Sequence, residues 1–280
     1  MHTNSKSSRK ILYGVLATLL IVTYFSIPAK AYNPTSAPTV PVWMTESKGL
    51  VAHAAGSIEG RISTNSLDAV IHNYALGHRV FEMDFNLTSD GVMVAIHDWS
   101  SSGGAKSSRE FLDTKIQGRY RPTTFRQIVE FMAINEDVYL ITDTKSFEYT
   151  DSEITYQFQC IYDIAREAGE GVLERIVVQI YNQRMYHLIN RIYRFPNIIY
   201  TLYATPPAEQ HRVLPFMLEE NITLITMPPE RATDRYLEEL RVAGITVCLH
   251  TINDIDEALY WMDKGVCGIY TDSILPGALP

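Results

Sequence analysis

From residue 50 onward the 280-residue chain alternates short apolar runs with longer amphipathic ones, and this alternation limits the fold more than any other feature. The apolar runs are Leu50–Gly56, Arg79–Phe85, Val138–Asp143, Ile176–Tyr181, Ile198–Tyr203, Ile222–Met227, Ile245–His250 and Gly268–Asp272. Between them, segments near 67–77, 123–135, 154–168, 183–193, 208–219, 232–243 and 254–264 carry apolar residues at helical spacing. Ser66 or Asn65 can cap the first of these, whose inward positions are Leu67, Val70, Ile71 and Tyr74. Eight strands with seven helical connections imply a parallel sheet covered by helices. Eight units favour closure into an α/β fold of the (β/α)8 TIM-barrel type over an open doubly wound sheet, and one such barrel takes about 250 residues.

One departure from the alternation sits after the second strand. Phe81, Met83 and Phe85 alternate with Glu82, Asp84 and Asn86, so a strand's period of two sends Glu82 and Asp84 to one face. Asp90-Gly91 marks a turn, and Val92–Ile96 reads as a second strand ending in His97-Asp98. The spacer is too short for a parallel crossover, which needs about a dozen residues, so a β-hairpin insertion is expected that swings His97 back toward the carboxylates. The polar, Gly- and Ser-rich stretch 100–118 lacks periodicity and reads as a long loop over the site.

The N-terminal 31 residues carry Lys6, Arg9, Lys10 and Lys30 and no acid; an apolar run from Ile11 to Ile27 precedes Ala29-Lys30-Ala31. This is the pattern of a signal peptide or an N-terminal membrane anchor, and export to a secreted or periplasmic location is the expectation. Residues 32–48 read as a Pro-, Thr- and Ser-bearing linker, and 49–280 as the catalytic domain. Of 24 basic and 32 acidic residues, 20 and 32 remain after position 31, a net charge of −12. Such a body is repelled by phosphate backbones, so nucleic acid is not an expected partner. Cys160, Cys248 and Cys267 are odd in number and lack CxxC spacing; they are expected as free thiols rather than as zinc ligands or a disulfide framework.

In a barrel, strand ends converge on one mouth, and there lie His53, Glu82, Asp84, Asp143, Lys145, Gln179, His250 and Asp272, with His97 returning by the hairpin. Glu82, Asp84 and Asp143 form an all-oxygen anionic set suited to one divalent cation, Mg²⁺ or Ca²⁺. Two histidines beside it can serve as base or nucleophile on one side and as acid on the other. Lys145 adds a point charge for a phosphate oxygen. Together these groups meet the needs of phosphodiester cleavage, where charge gathers on phosphoryl oxygens and an alkoxide needs a proton.

His53 with Gly56, Asn65-Ser66, Glu82-x-Asp84, His97-Asp98, Asp143-x-Lys145, Gln179 and Gly268-Ile-Tyr-Thr-Asp272 resemble, in order over about residues 49–276, the motif series of glycerophosphodiester phosphodiesterases. The wider superfamily includes phosphatidylinositol-specific phospholipase C and the sphingomyelinase D toxins. The resemblance implies a TIM barrel with His53 and His97 as the catalytic pair, Glu82, Asp84 and Asp143 around one divalent cation, and Lys145 on phosphate; Gln179 and His250, from their places at strand ends, are further candidates for binding substrate or phosphate. It also implies a glycerophosphodiester or phospholipid substrate, with a membrane surface as a further expected contact. Three positions depart from the pattern: Ala54 stands where Arg usually follows the first His, Asp143 is like the toxin branch rather than the usual Glu, and His250 replaces an aromatic. Cyclic-phosphate formation by a lyase of the phospholipase C/D kind, and an inactive barrel that binds phosphorylated head groups, are the alternatives to hydrolysis.

Overall fold

The computed structural model describes residues 39–145 and 149–280. Nine strands run β1 Leu50–Ala52, β2 Val80–Leu87, β3 Met93–Ala95, β4 Tyr139–Asp143, β5 Ile176–Ile180, β6 Asn197–Thr201, β7 Leu224–Met227, β8 Thr246–Leu249 and β9 Gly268–Thr271. The helices are α1 Val42–Glu46, α2 Leu67–Ala75, α3 Ser108–Leu112, α4 Phe125–Ile134, α5 Asp151–Ala168, α6 Glu170–Leu173, α7 Gln183–Ile189, α8 Val213–Glu220, α9 Asp234–Val242 and α10 Ile255–Asp263. All strands but β3 pair in parallel in the order β1-β2-β4-β5-β6-β7-β8-β9, and β9 pairs with β1 (Leu50 opposite Ile269), which closes a (β/α)8 TIM barrel. Closure leaves no free edge among the eight.

Alternate residues along each strand face opposite sides of the barrel wall. Phe81, Met83 and Phe85 of β2 belong to the apolar layer under the helices, together with Phe125, Ile128 and Met132 of α4. The opposite set, Val51, Val80, Ile141, Val177, Ile199, Leu224, Cys248 and Tyr270, forms a second apolar cluster inside the barrel. Above it the interior turns polar, because the next inward positions are Glu82, Asp84, Asp143 and Gln179. The helix starts follow local chemistry: Ser66, Thr124, Thr150, Asn182, Thr233 and Asp254 each accept a backbone N–H in the first turn of the helix that follows.

Three expectations change. Within the stretch read as linker, α1 closes the barrel floor: Trp43 and Met44 are buried in the inner cluster, and Trp43 stacks on Tyr139 at 5.6 Å. Burying two such side chains stabilises by about 1.5–3 kcal/mol each. Five residues are too few to show a helical period. Met44 also explains Gly268, where a Cβ would fall 2.6 Å from Cys248 Sγ and 3.2 Å from the Met44 side chain. Within the stretch read as an aperiodic loop, α3 forms behind a capping box, with Ser107 and Glu110 bonding each other's backbone N–H groups at 3.3 and 3.0 Å.

The third change concerns β2, which runs on to Leu87 instead of stopping near Phe85, because β3 pairs antiparallel with its last residues (Phe85 opposite Ala95). The hairpin is therefore as expected, yet Glu82 and Asp84 lie within the strand and not at its end. Cys160, Cys248 and Cys267 are free, and Cys248 is buried. The signal or anchor expectation for residues 1–31 lies outside the described residues, and none of the described helices is long and apolar enough to cross a membrane.

Candidate active site

Because β2 and β4 pair with Asp84 opposite Asp143, their inward carboxylates share one level of the barrel, and Glu82 sits one inward position below Asp84. Ligand oxygens of Glu82, Asp84 and Asp143 all lie within 4.8 Å of one another, and all three residues are buried. Three buried carboxylates that close repel one another unless cations intervene. Lys145 supplies one charge: its Nζ is 2.6 Å from Asp143 Oδ2 and 3.0 Å from Asp84 Oδ1. Burial would lower the Lys145 pKa, but Asp143 and Asp84 outweigh it and hold the ammonium well above the ordinary lysine range. Glu82 moves the other way: burial and the neighbouring Asp84 raise it, against the pull of His53. The set is thus short of positive charge, and an oxygen-only donor set of this compactness fits a hard divalent cation.

Each carboxylate is aimed by its neighbours. Asn65 clamps Asp84, donating from Nδ2 to Oδ2 at 2.8 Å while its own Oδ1 accepts the Asp84 N–H at 2.9 Å. The Ala54 N–H donates to Glu82 Oε2 at 2.9 Å. Asp143 accepts hydroxyls from Tyr181 and, at 3.2 Å, from Tyr203. These donors keep charged oxygens satisfied inside a low-dielectric interior.

His53 directly follows β1, with Nδ1 2.8 Å from Asp272 Oδ1 and Nε2 3.9 Å from Glu82 Oε2. Burial opposes its protonation, but the Asp272 hydrogen bond and the charges of Glu82, Asp272 and Asp84 prevail and lift its pKa to about 9. Asn253 holds the other Asp272 oxygen at 2.8 Å and accepts the Asp272 N–H at 2.7 Å. His250 lies beside Tyr203 and Tyr270, with ring centroids 5.7 and 6.1 Å away; burial, helped by the charge of His53, lowers it to about 4. Its buried Nε2 has no hydrogen-bond partner among the described residues. Gln179 is buried and accepts the Tyr270 hydroxyl at 3.2 Å.

His97 stands apart from this group. The hairpin brings its backbone to the site, since the Ile96 N–H donates to the Asp84 carbonyl at 3.0 Å and Asn86 Nδ2 donates to the His97 carbonyl at 3.0 Å. Its side chain is 64% exposed and bonds Asp98 Oδ2 at 2.6 Å, and no contact with the three carboxylates is seen among the described residues. His97 instead faces a cleft of about 450 Å³ that Asn65 also lines. Trp99 packs: its indole N–H donates to the Leu87 carbonyl at 3.0 Å and its ring meets Phe111 at 5.4 Å.

From the sequence Asn65 is a cap candidate, a role that Ser66 fills, and a member of the motif series with no role assigned to it, while Tyr181, Tyr203 and Asn253 are not singled out. The Asn65-Ser66 pair carried the one available signal, since a single helix needs only one of two adjacent cap formers. For the tyrosines and Asn253 no local pattern exists, because their partners are 36 to 60 positions and 19 positions away.

Solved structures share the barrel. A glycerophosphodiester phosphodiesterase from Parabacteroides distasonis is 19% identical, covers 81% of this chain and 93% of its own, and superposes with a TM-score of 0.67. An Oleispira antarctica phosphodiesterase, solved in complex with the product sn-glycerol-3-phosphate, is 17% identical with 84% and 97% covered and a TM-score of 0.68. No curated protein matches the sequence. The family described as glycerophosphoryl diester phosphodiesterase matches residues 56–275, beginning three residues after His53 and taking in every carboxylate of the cluster. By that match this TIM-barrel chain belongs to the glycerophosphoryl diester phosphodiesterase family and is an enzyme of the phosphodiesterase class.

Proposed function

We propose that the chain hydrolyses a glycerophosphodiester with one divalent cation, Mg²⁺ or Ca²⁺, held by Glu82, Asp84 and Asp143. The observation that carries this reading is the compact buried trio of carboxylates with the Lys145 ammonium beside it. When bound, the cation supplies positive charge for the phosphoryl oxygens as the phosphorus is attacked. Lys145 contributes a second positive group at the same place. His53 gives Nδ1–H to Asp272 and presents Nε2 to the site; as the neutral imidazole, which a bound cation would favour by offsetting the Glu82 and Asp84 charges that raise its pKa, it takes the proton from the attacking oxygen or attacks phosphorus itself. His97, 64% exposed on the wall of the adjoining cleft, gives a proton to the departing alkoxide. Gln179 and His250 serve the substrate's remaining polar atoms.

Water as the attacking oxygen yields hydrolysis, and a hydroxyl of the substrate yields a cyclic phosphate; phosphorus NMR of the product distinguishes them. The test of the whole reading is turnover of a glycerophosphodiester panel with EDTA and after re-addition of Mg²⁺ or Ca²⁺. Chelator-sensitive product release is expected, and an absence of turnover across the panel would sink the proposal. We further propose that the enzyme works outside the cytoplasm, on the strength of the pattern in residues 1–31; N-terminal sequencing of exported protein beginning at Tyr32 would establish cleavage.

A further inference from the structure

The cleft beside His97 is a second constructed feature of the barrel mouth. It adjoins the carboxylates through Asn65, whose amide bonds Asp84, and its volume of about 450 Å³ falls within the usual range for a small-molecule site. Its walls come from the segment between β1 and α2, from the residues after β3, and from the stretch around α3, which the barrel itself does not require. That stretch contributes two ammonium groups, Lys106 and Lys115.

The lining sets two ammonium groups, Lys106 and Lys115, against one carboxylate, Asp98. Neither lysine has a carboxylate within ion-pair distance among the described residues. The carboxylates nearby have closer partners than the lysines: Asp98 bonds His97 at 2.6 Å and the Ser100 N–H at 2.7 Å, Glu110 bonds Ser107, and Asp68 bonds Arg121 at 2.7 Å, so Glu110 and Asp68 reach Lys106 and Lys115 only through longer-range attraction. Hydroxyls of Ser101, Ser102 and Thr114 add donors to the lining residues. A quaternary ammonium needs exposed aromatic faces or free carboxylates. Here Phe111 is buried, Trp99 is half-buried and meets it edge-on, and the one lining carboxylate, Asp98, is already bonded to His97 and Ser100.

We propose that this cleft seats the leaving alcohol of the diester and that Lys106 and Lys115 select an anionic one, such as a phosphorylated polyol, over a choline-like cation. The proposal rests on the phosphodiesterase reading above and adds to it the charge class of the head group. His97 at the wall of the same cleft then lies beside the oxygen that departs.

The experiment compares kcat/KM for glycerophosphoinositol phosphate, glycerophosphoinositol and glycerophosphocholine, whose head groups are anionic, neutral and cationic. The same head groups are also offered as phospholipids in mixed micelles. The wild-type protein is expected to prefer the anionic member; whichever series shows that preference identifies the source as free diester or lipid. Lys106→Gln with Lys115→Gln should lower the anionic-to-neutral ratio about tenfold, a few-fold for each exposed charge contact. Lys106→Glu with Lys115→Glu should invert the order of preference. Turnover with no charge preference, or a ratio indifferent to both double variants, overturns the head-group assignment alone. No turnover of any member by the wild-type protein removes the phosphodiesterase reading and this inference together. Both lysines lie on the surface of the cleft and cap no helix, so loss of folding does not confuse the comparison.

Discussion

His53 Nδ1 lies 2.8 Å from Asp272 Oδ1, a bond between the residue that follows β1 and the residue that follows β9. It exists only because those strands are neighbours at the barrel closure, 219 positions apart in sequence. Asp272 accepts the Nδ1 proton and so leaves Nε2 directed at the carboxylate cluster. Asp272→Asn keeps the shape and removes the acceptor charge. We expect kcat to fall by about 10²- to 10⁴-fold with KM little changed. Histidine NMR of the cation-free protein should also show the His53 titration moving down from about 9. An unchanged titration would mean that Asp272 does not support His53.

His97 makes the opposite case. Its side chain is 64% exposed and hydrogen-bonds only Asp98 among the described side chains, so His97→Ala should alter stability by no more than about 0.5 kcal/mol. Activity on a diester with a poor leaving alcohol should nevertheless drop about 10²- to 10⁴-fold. A p-nitrophenyl diester, whose leaving group needs no proton, should lose far less. Equal losses on both substrates would show that His97 is not the proton donor.

The contrast between these histidines marks what could be read from residue order. Strand and helix periods are local, so the alternation from Leu50 to Asp272 was enough for the barrel, and the five residues between Leu87 and Met93 were enough for the hairpin. Period two also put Glu82 and Asp84 on one face. Hydrogen-bond partners across the barrel are not local: Tyr181 and Tyr203 on Asp143, Asn253 on Asp272 and Asp84 on Lys145 come from segments distant in sequence. The exposed setting of His97 depends on Asp98 and Ser100 in an irregular turn, where no periodicity operates. The capping box before α3 was legible as Ser107-x-x-Glu110, but its short helix is hidden among polar residues.

Removing one carboxylate should act in opposite directions with and without cation. In EDTA, Glu82→Gln relieves a group that burial and Asp84 repulsion both disfavour, while its carbonyl can still accept the Ala54 N–H, so the melting temperature should rise. Wild-type protein at 100-fold cation excess over Kd should gain about 2.7 kcal/mol, or about 5–10 °C for a domain of this size. Glu82→Gln and Asp143→Asn should lose most of that gain. Calorimetric scans with EDTA, Mg²⁺ and Ca²⁺ read all of these shifts. A wild-type protein indifferent to both cations would contradict the ligand assignment.

Acid sensitivity should come from His78, far from the cleft. It is only 3% exposed, packs near Phe81, and burial lowers its pKa from 6.5 to about 4. The folded state thus resists a proton that the unfolded chain accepts. Stability is therefore intact above pH 6.5 and falls as pH drops from 6.5 toward 4, by up to about 3 kcal/mol for this one group. His250, also lowered to about 4, acts in the same direction. Urea unfolding at pH 7 and at pH 4.5 measures the change, which Glu82, raised to about 8, opposes over the same range; His78→Gln, which carries no proton switch, should lessen the acid loss by about 2 kcal/mol. Equal pH slopes for wild-type and His78→Gln proteins would show that the acid loss arises elsewhere.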